Sequence, residues 1–503
     1  METLNPDVVI IGSGVGGGTI ARQLAGTGAR ILILERGDFL PEEPQNADAE
    51  AVFVQARYKT TEEYQDPTGR RYRPGQYYYV GGHTKFYGTA MFRFRESDFR
   101  GREDGTAPAW PISYGDLAPF YAEAERIFGV RGQAGHDPTD PPRDAYPHPP
   151  IPHEPVIARM ADALRRQGLR PFHMPSAVDY GPGGSCRRCG TCDAFICRFG
   201  AKGDGETRLI RPVLNHPDVT LWTNARVTRL IAGEGGRITA VELQRGDQRL
   251  RVSARTFVLS AGAINSALIL LRSADAAHPQ GLANRSGVVG RHLMNHHLTG
   301  LMGLMPGRND TKFPKTLSVN DFYHGLPQDS GARGNIQMLG KIQGPMIRAA
   351  YPVMPRPLAN LLARHSVDWL CMSEDLPNRD SRVTALHDGG VRIDYRPGAR
   401  PAHDRFVRHV RTRLRRIFPL VLRHDFGIEA PSHQCGTVRM GQDPDSSALN
   451  AMCRAHDHPN LYVVDAGFFP SSAALNPALT VCAQALRVGA HLRDAWRHDQ
   501  TAP

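Results

Sequence analysis

Three glycines, one carboxylate and four crowded cysteines carry the most chemical meaning on a first pass. Gly12-Ser13-Gly14-Val15-Gly16-Gly17 follows the apolar run Asp7–Ile11, and a second apolar run, Ile31–Leu34, ends at Glu35. Gly12 permits a tight turn, Gly14 lets backbone approach a pyrophosphate, and Gly17 lets a helix pack closely on its strand. The helix start then offers N–H groups and a positive dipole end to phosphates. Glu35 is placed to accept hydrogen bonds from a ribose diol, and its charge disfavours a 2′-phosphate. NAD and FAD sites share this pattern. Cys186, Cys189, Cys192 and Cys197 form C-x2-C-x2-C-x4-C. Four thiolates so close suit zinc or an iron–sulfur cluster, yet the x4 spacing and Arg198 break the bacterial ferredoxin run. Free or paired thiols are the favoured reading. A dithiol electron-transfer protein would need a second dinucleotide fingerprint, and Gly233-Glu234-Gly235-Gly236 lacks its spacing.

These residues need elements to hold them. The segment from Asp7 to Glu35 reads as strand, helix to Ala25, strand: a βαβ unit opening a parallel sheet. Leu117, Phe120, Tyr121, Ala124, Ile127 and Phe128 share one face of a helix over Asp116–Phe128. Gly132–Pro155 holds eight prolines and reads as a loop passage. Strand runs follow between Val219 and Ser260, including Val219–Trp222 and Thr256–Leu259. Leu301–Arg423 mixes strand and helix signals, and the last region returns with a strand at Leu461–Asp465 and a helix over Leu479–Trp496. An α/β fold with mixed α+β character fits: a Rossmann-type cofactor domain assembled from discontinuous segments, plus a mixed-sheet substrate-binding domain.

The chain has 503 residues, with 61 Lys+Arg against 50 Asp+Glu, a formal charge of +11. Hydrophobic residues make up 41% and charged residues 22%, which excludes a disordered or fibrous chain. Only six of the basic residues are Lys. The arginines are scattered rather than clustered with aromatics, so no nucleic-acid partner is expected. The longest apolar stretch, Phe257–Leu271, is interrupted by Ser260, Asn265 and Ser266, so no membrane span is expected. Nothing near Met1–Pro6 reads as a targeting signal, and the cysteine usage fits a cytoplasmic protein. Oligomeric state has no signature here.

The C-terminal region carries a specific set of motifs. His433-Gln434-Cys435-Gly436-Thr437, Asn460–Asp465, Phe469-Pro470 and Asn476-Pro477-Ala478-Leu479-Thr480 occur in that order. Together they resemble the C-terminal domain of the glucose–methanol–choline (GMC) oxidoreductases, flavoenzymes that oxidise alcohols and sugars. Val80-Gly81-Gly82-His83-Thr84 resembles that family's Gly-Gly loop, Trp110-Pro111-Ile112-Ser113-Tyr114 its helix entry, and Ser260–Ser266 its internal signature.

The resemblance implies FAD. Gly12, Gly14, Gly17 and Glu35 would bind its ADP half, and Val227 would meet the adenine through its backbone. Gly81, Gly82 and Thr84 would lie along the pyrophosphate and flavin, with Asp465, Ala466 and the Asn476-Pro477 turn closing over the ring. Members that tether FAD carry a histidine four positions after the second Gly, where this chain has Phe86, so non-covalent FAD is expected. It divides the chain into FAD-domain segments 1–110 and 201–300, an insert 111–200, a substrate domain 301–425 and a C-terminal segment 426–503.

Oxidising an alcohol requires the carbinol hydrogen to leave as hydride, here towards flavin N5, while the hydroxyl proton goes to a base. His433 falls at the family's base position, and a neutral imidazole suits the task. Asn476 falls at the partner position, where its amide would donate to the forming alkoxide. The expected substrate is a sugar, glycoside, aminosugar or alcohol, with the primary hydroxyl of an aminoglycoside intermediate as a narrower alternative. Oxygen and other electron acceptors are equally compatible. A flavin- or Arg-mediated binding protein and a lyase of the same fold are the other readings. His292 and His296 stand at helical spacing and read as active-site periphery or packing; His456 and His458 read as exposed loop residues.

Overall fold

The computed structural model describes residues 5–430 and 433–501. Its centre is a five-stranded parallel sheet in the order Leu461–Val463, Thr256–Leu259, Val8–Ile11, Ile31–Leu34, Val219–Trp222. The strands are near-continuous apolar runs because helices and loops cover both faces. Helix Val15–Leu24 crosses from the first strand to the second and packs against helix Ala478–Thr501. The helix expected from Asp116 begins two residues earlier, at Tyr114. Ser113 caps it, its Oγ accepting from Asp116 N at 3.3 Å while Asp116 accepts from Ser113 N at 2.7 Å.

The mixed signals of the 301–423 region resolve into a second sheet. Its order is Leu420–Asp425, His297–Leu304, Ser366–Ser373, Asn335–Met338, Leu317–Val319, Phe172–His173, and its paired strands are antiparallel. Strand alternation gives it two different faces. Leu301, Val367, Trp369, Cys371 and Val421 pack on helices Pro155–Arg165 and Arg400–Leu414. On the opposite face Leu298, Gly300, Met302, Leu370, Leu422 and His424 border a cavity of about 940 Å³. The same cavity reaches Gly12 and Gly14 at the parallel sheet. Among the described residues no helix is long and apolar enough to cross a membrane.

The helical spacing of His292 and His296 does not form a helix, and the exposed reading of His458 is corrected. His292 adopts φ +57°, and residues 292–296 are not helical. His458 is fully buried: its Nδ1 pairs with Gly236 O at 2.6 Å and its Nε2 accepts from Ala283 N at 3.0 Å. The aspartate between His456 and His458 had suggested an exposed loop, but this imidazole fastens two segments instead.

Candidate active site

The glycine turn forms one end of the cavity. Gly12 has φ +98°, and a Cβ there would lie 2.3 Å from Ser260 O. A Cβ on Gly14, by contrast, would meet nothing within 4 Å. Gly14 caps the helix without a side-chain hydrogen bond, so the first turn stays open to an anion. Gly17 fits against Gly12 O, and its N–H donates to Ser260 Oγ at 2.8 Å. Glu35 Oε2 accepts from Ser13 N at 3.0 Å and from Ser13 Oγ at 2.6 Å, while Oε1 accepts from Gly37 N at 2.9 Å. The carboxylate therefore stiffens the turn as well as bordering the cavity beside Val227.

Gly81, Gly82 and Thr84 form the next stretch of wall. Gly81 N donates to Ser13 Oγ at 3.2 Å, and Thr84 Oγ1 donates to Gly81 O at 2.8 Å. Asp465 fastens the far side: Oδ2 accepts from Gly262 N at 3.1 Å and from Ser266 Oγ at 2.5 Å, Oδ1 from Gly467 N at 2.8 Å. Ala466, Asn476 and Pro477 continue that wall. An open, anion-tolerant turn, an adjoining glycine loop and a long continuous cavity fit a dinucleotide the size of FAD. Phe86, at the tethering position, stacks on Tyr77 with ring centroids 4.0 Å apart.

His433 and Asn476 both border this cavity. His433 Nδ1 lies 2.8 Å from His296 Nδ1, and His296 Nε2 lies 3.0 Å from the carbonyl oxygens of Ser472 and Ala473. Carbonyls only accept, so His296 carries its proton on Nε2, and burial keeps it neutral by pulling its pKa down to about 4. Its Nδ1 is then a lone pair, and His433 must donate from Nδ1. This assignment leaves the His433 Nε2 lone pair unprotonated. His296, read from sequence as active-site periphery or packing, is placed by this pair to orient the His433 ring. His296→Leu is expected to lower kcat about tenfold to a hundredfold, and His296→Gln, which can donate and accept at once, to restore most of it. Equal losses in both variants would contradict this tautomer.

Asn476 is oriented by an equivalent device. Gln337 Nε2 donates to Asn476 Oδ1 at 3.0 Å and to Asn335 Oδ1 at 2.8 Å, leaving the Asn476 Nδ2 protons for a ligand. Asn335 continues the chain to Asn320 Oδ1 at 2.6 Å. Burial, reinforced by His296, Lys315 and His83, holds the His433 pKa well below the ordinary imidazole value. A lowered pKa keeps the neutral base populated as pH falls. The acid limb of kcat/KM is therefore expected below pH ~6.5, and a pH profile with its inflection at or above that value would contradict the burial argument.

The cysteine run sits in a loop that borders the cavity through Asp193. Among the described residues no group of three or more His, Cys, Asp or Glu side chains comes together as a metal site, and all four thiols are free. The loop is held by the buried Lys202, whose Nζ donates to Tyr87 O at 2.9 Å, Cys192 O at 2.8 Å and Phe195 O at 2.7 Å. That anchor delivers Asp193 to the cavity wall, where it pairs with Lys315 at 2.7 Å.

A Rossmann-type turn joined by one cavity to an imidazole and an amide defines a dinucleotide-dependent oxidoreductase. Residues 150–298 and 396–485 match the N- and C-terminal GMC oxidoreductase family models. The chain is 31% identical to 6'''-hydroxyparomomycin C oxidase of Streptomyces lividus, over 99% of this chain and 93% of that one. It is 32% identical to paromamine 6'-oxidase of Streptomyces fradiae, over 96% and 90%. Among solved structures, pyridoxine 4-oxidase from Mesorbium loti superposes with a TM-score of 0.69 at 19% identity, covering 97% of this chain and 99% of that one. The chain belongs to the GMC oxidoreductases, enzymes that use FAD to oxidise CH–OH groups.

Proposed function

We propose that the protein oxidises a hydroxyl of a sugar, glycoside or aminosugar to a carbonyl, with His433 as base and Asn476 as hydrogen-bond donor. The observation that carries this reading is the pair of buried polar chains. One frees the Nε2 lone pair of His433 and the other frees the amide protons of Asn476, both at the same cavity. A substrate hydroxyl between them donates its proton to His433 Nε2. Asn476 Nδ2 then donates to the oxygen as negative charge builds on it. Bound FAD supplies the acceptor for the carbinol hydrogen and its electron pair.

In this reading Gly12, Gly14, Gly17 and Glu35 hold the ADP half of FAD, and Val227 meets the adenine. Gly81, Gly82 and Thr84 follow the pyrophosphate, and Asp465, Ala466 and Pro477 close over the ring. Phe86 forms no bond to the cofactor, so FAD is non-covalent and is released intact by acid denaturation. The narrower reading, oxidation of the primary hydroxyl of an aminoglycoside, rests on the names of the two Streptomyces relatives. The deciding experiment is anaerobic titration of the yellow protein with sugars, aminosugars and alcohols while following flavin absorbance, then admission of air. Bleaching by a hydroxyl compound is expected, and the rate of colour return in air separates oxygen from other acceptors. A colourless protein that takes up no flavin, or one no hydroxyl compound bleaches, overturns the reading.

A further inference from the structure

We infer that the substrate carries an ammonium group besides its reacting hydroxyl, and that Asp368 receives it; this rests on the hydroxyl-oxidising reading above. Along strand Ser366–Ser373, Val367, Trp369 and Cys371 turn to the helices, so Asp368 and Leu370 turn to the cavity. Asp368 is 4% exposed. Its Oδ2 accepts from Ile342 N at 3.2 Å, and its Oδ1 has no hydrogen-bond partner among the described residues. Lys341 does not serve it. That ammonium donates to Ala363 O at 2.6 Å, Ser366 O at 2.9 Å and Ser366 Oγ at 3.3 Å, and stays 3.9 Å from Asp368 Oδ2. A buried carboxylate oxygen without a donor costs free energy that the N–H groups of a ligand can recover.

A second carboxylate repeats the arrangement. Asp193 Oδ2 accepts from Lys315 Nζ at 2.7 Å and from Gly340 N at 3.1 Å, while Oδ1 accepts from neither. Asp193 and Asp368 thus fasten the wall segment 339–342 through one oxygen each and keep the other for the cavity that both border. Lys315 offsets the charge of Asp193, so Asp368 is the stronger cation acceptor and Asp193 Oδ1 a supporting one. Position along the sheet sets the spacing. Gln337, which holds Asn476, pairs with Leu370, and Asp368 lies two residues along the same strand, about 7 Å from that row. The ammonium is therefore set off from the reacting hydroxyl by a spacer on the scale of a sugar ring. Met302, Leu362 and Leu370 border the same space. By excluding water they strengthen a charge-assisted bond and penalise a cation that misses it.

The test uses the FAD-loaded enzyme and two matched probe series, 3-amino-1-propanol to 8-amino-1-octanol and the α,ω-diols of the same lengths. At the best-matched length, kcat/KM for anaerobic flavin reduction by the amino alcohol is expected to exceed that of the diol about tenfold to a hundredfold. Asp368→Asn, which keeps the shape and removes the charge, should bring that ratio close to one; Asp368→Ser is the second variant should the amide not retain FAD. Cyclohexylamine has no hydroxyl and reports binding alone, by calorimetry, and its Kd should rise about tenfold or more in Asp368→Asn. A ratio near one at every length in the parent enzyme, a ratio that survives both substitutions, or an unchanged cyclohexylamine Kd would overturn the inference and leave hydroxyl oxidation in place. If the substitution weakens cyclohexylamine binding while no hydroxyl compound bleaches the flavin, the ammonium seat stands and the oxidising function falls.

Discussion

His433→Ala is expected to lower kcat about a thousandfold while FAD content and the flavin spectrum stay normal. The magnitude follows from loss of a positioned general base, worth roughly 10² to 10⁴ in rate. The effect should fall within that range, because two neighbouring groups are already committed to other partners. His296 has its Nε2 committed to two carbonyls, and Lys315 is held by Asp193. Two measurements check it: the anaerobic flavin-reduction rate under saturating substrate, and FAD stoichiometry from absorbance. The residual rate should also lose the acid limb. Reduction within tenfold of the parent enzyme would remove His433 as the base.

Gly12→Ala is expected to abolish FAD retention and to destabilise the protein by about 3 kcal/mol or more. Two penalties combine at this position: a left-handed φ of +98°, and a Cβ driven to 2.3 Å from Ser260 O. Ser260 cannot retreat freely, because its N–H donates to Ile11 O at 2.8 Å and its Oγ receives Gly17 N. Gly14→Ala is the matched control. Its Cβ enters open space, so stability should change by less than about 0.5 kcal/mol. FAD affinity should nevertheless fall, because the methyl occupies the approach a pyrophosphate needs. Denaturant midpoints of the apoproteins and flavin titration of each variant separate the two effects.

The parallel sheet was legible because each strand is a compact apolar run ending in a turn or a polar residue, as Val8–Ile11 and Ile31–Leu34 do. The antiparallel sheet was not, since its strands show one apolar face to the core and another to the cavity, which erases the alternation. His433 and Asn476 were singled out through motif order. Their orienting partners were invisible: His296 lies 137 positions from His433 and Gln337 lies 139 from Asn476, with no local pattern joining them. One usable signal was compositional. In a chain so rich in arginine, the few lysines include buried Lys85, Lys202 and Lys315. A compact ammonium can sit among converging carbonyls where a planar guanidinium cannot. The cysteine spacing alone carried no structural role that sequence could assign, because the loop between them is secured by Lys202.

The parallel sheet also sets a timetable for synthesis. Its edge strand, Leu461–Val463, emerges last, and Thr19 on the first helix meets Cys482, 463 positions later. At ribosomal speeds of about 5–20 residues per second, the N-terminal βαβ unit waits on the order of half a minute or longer for that partner. During this interval the nascent chain exposes the unpaired edge of Thr256–Leu259, a template for aggregation. Flavin loading is therefore expected only after the C-terminal strand joins the sheet, and recombinant yield should respond more to chaperone supply than to riboflavin in the medium.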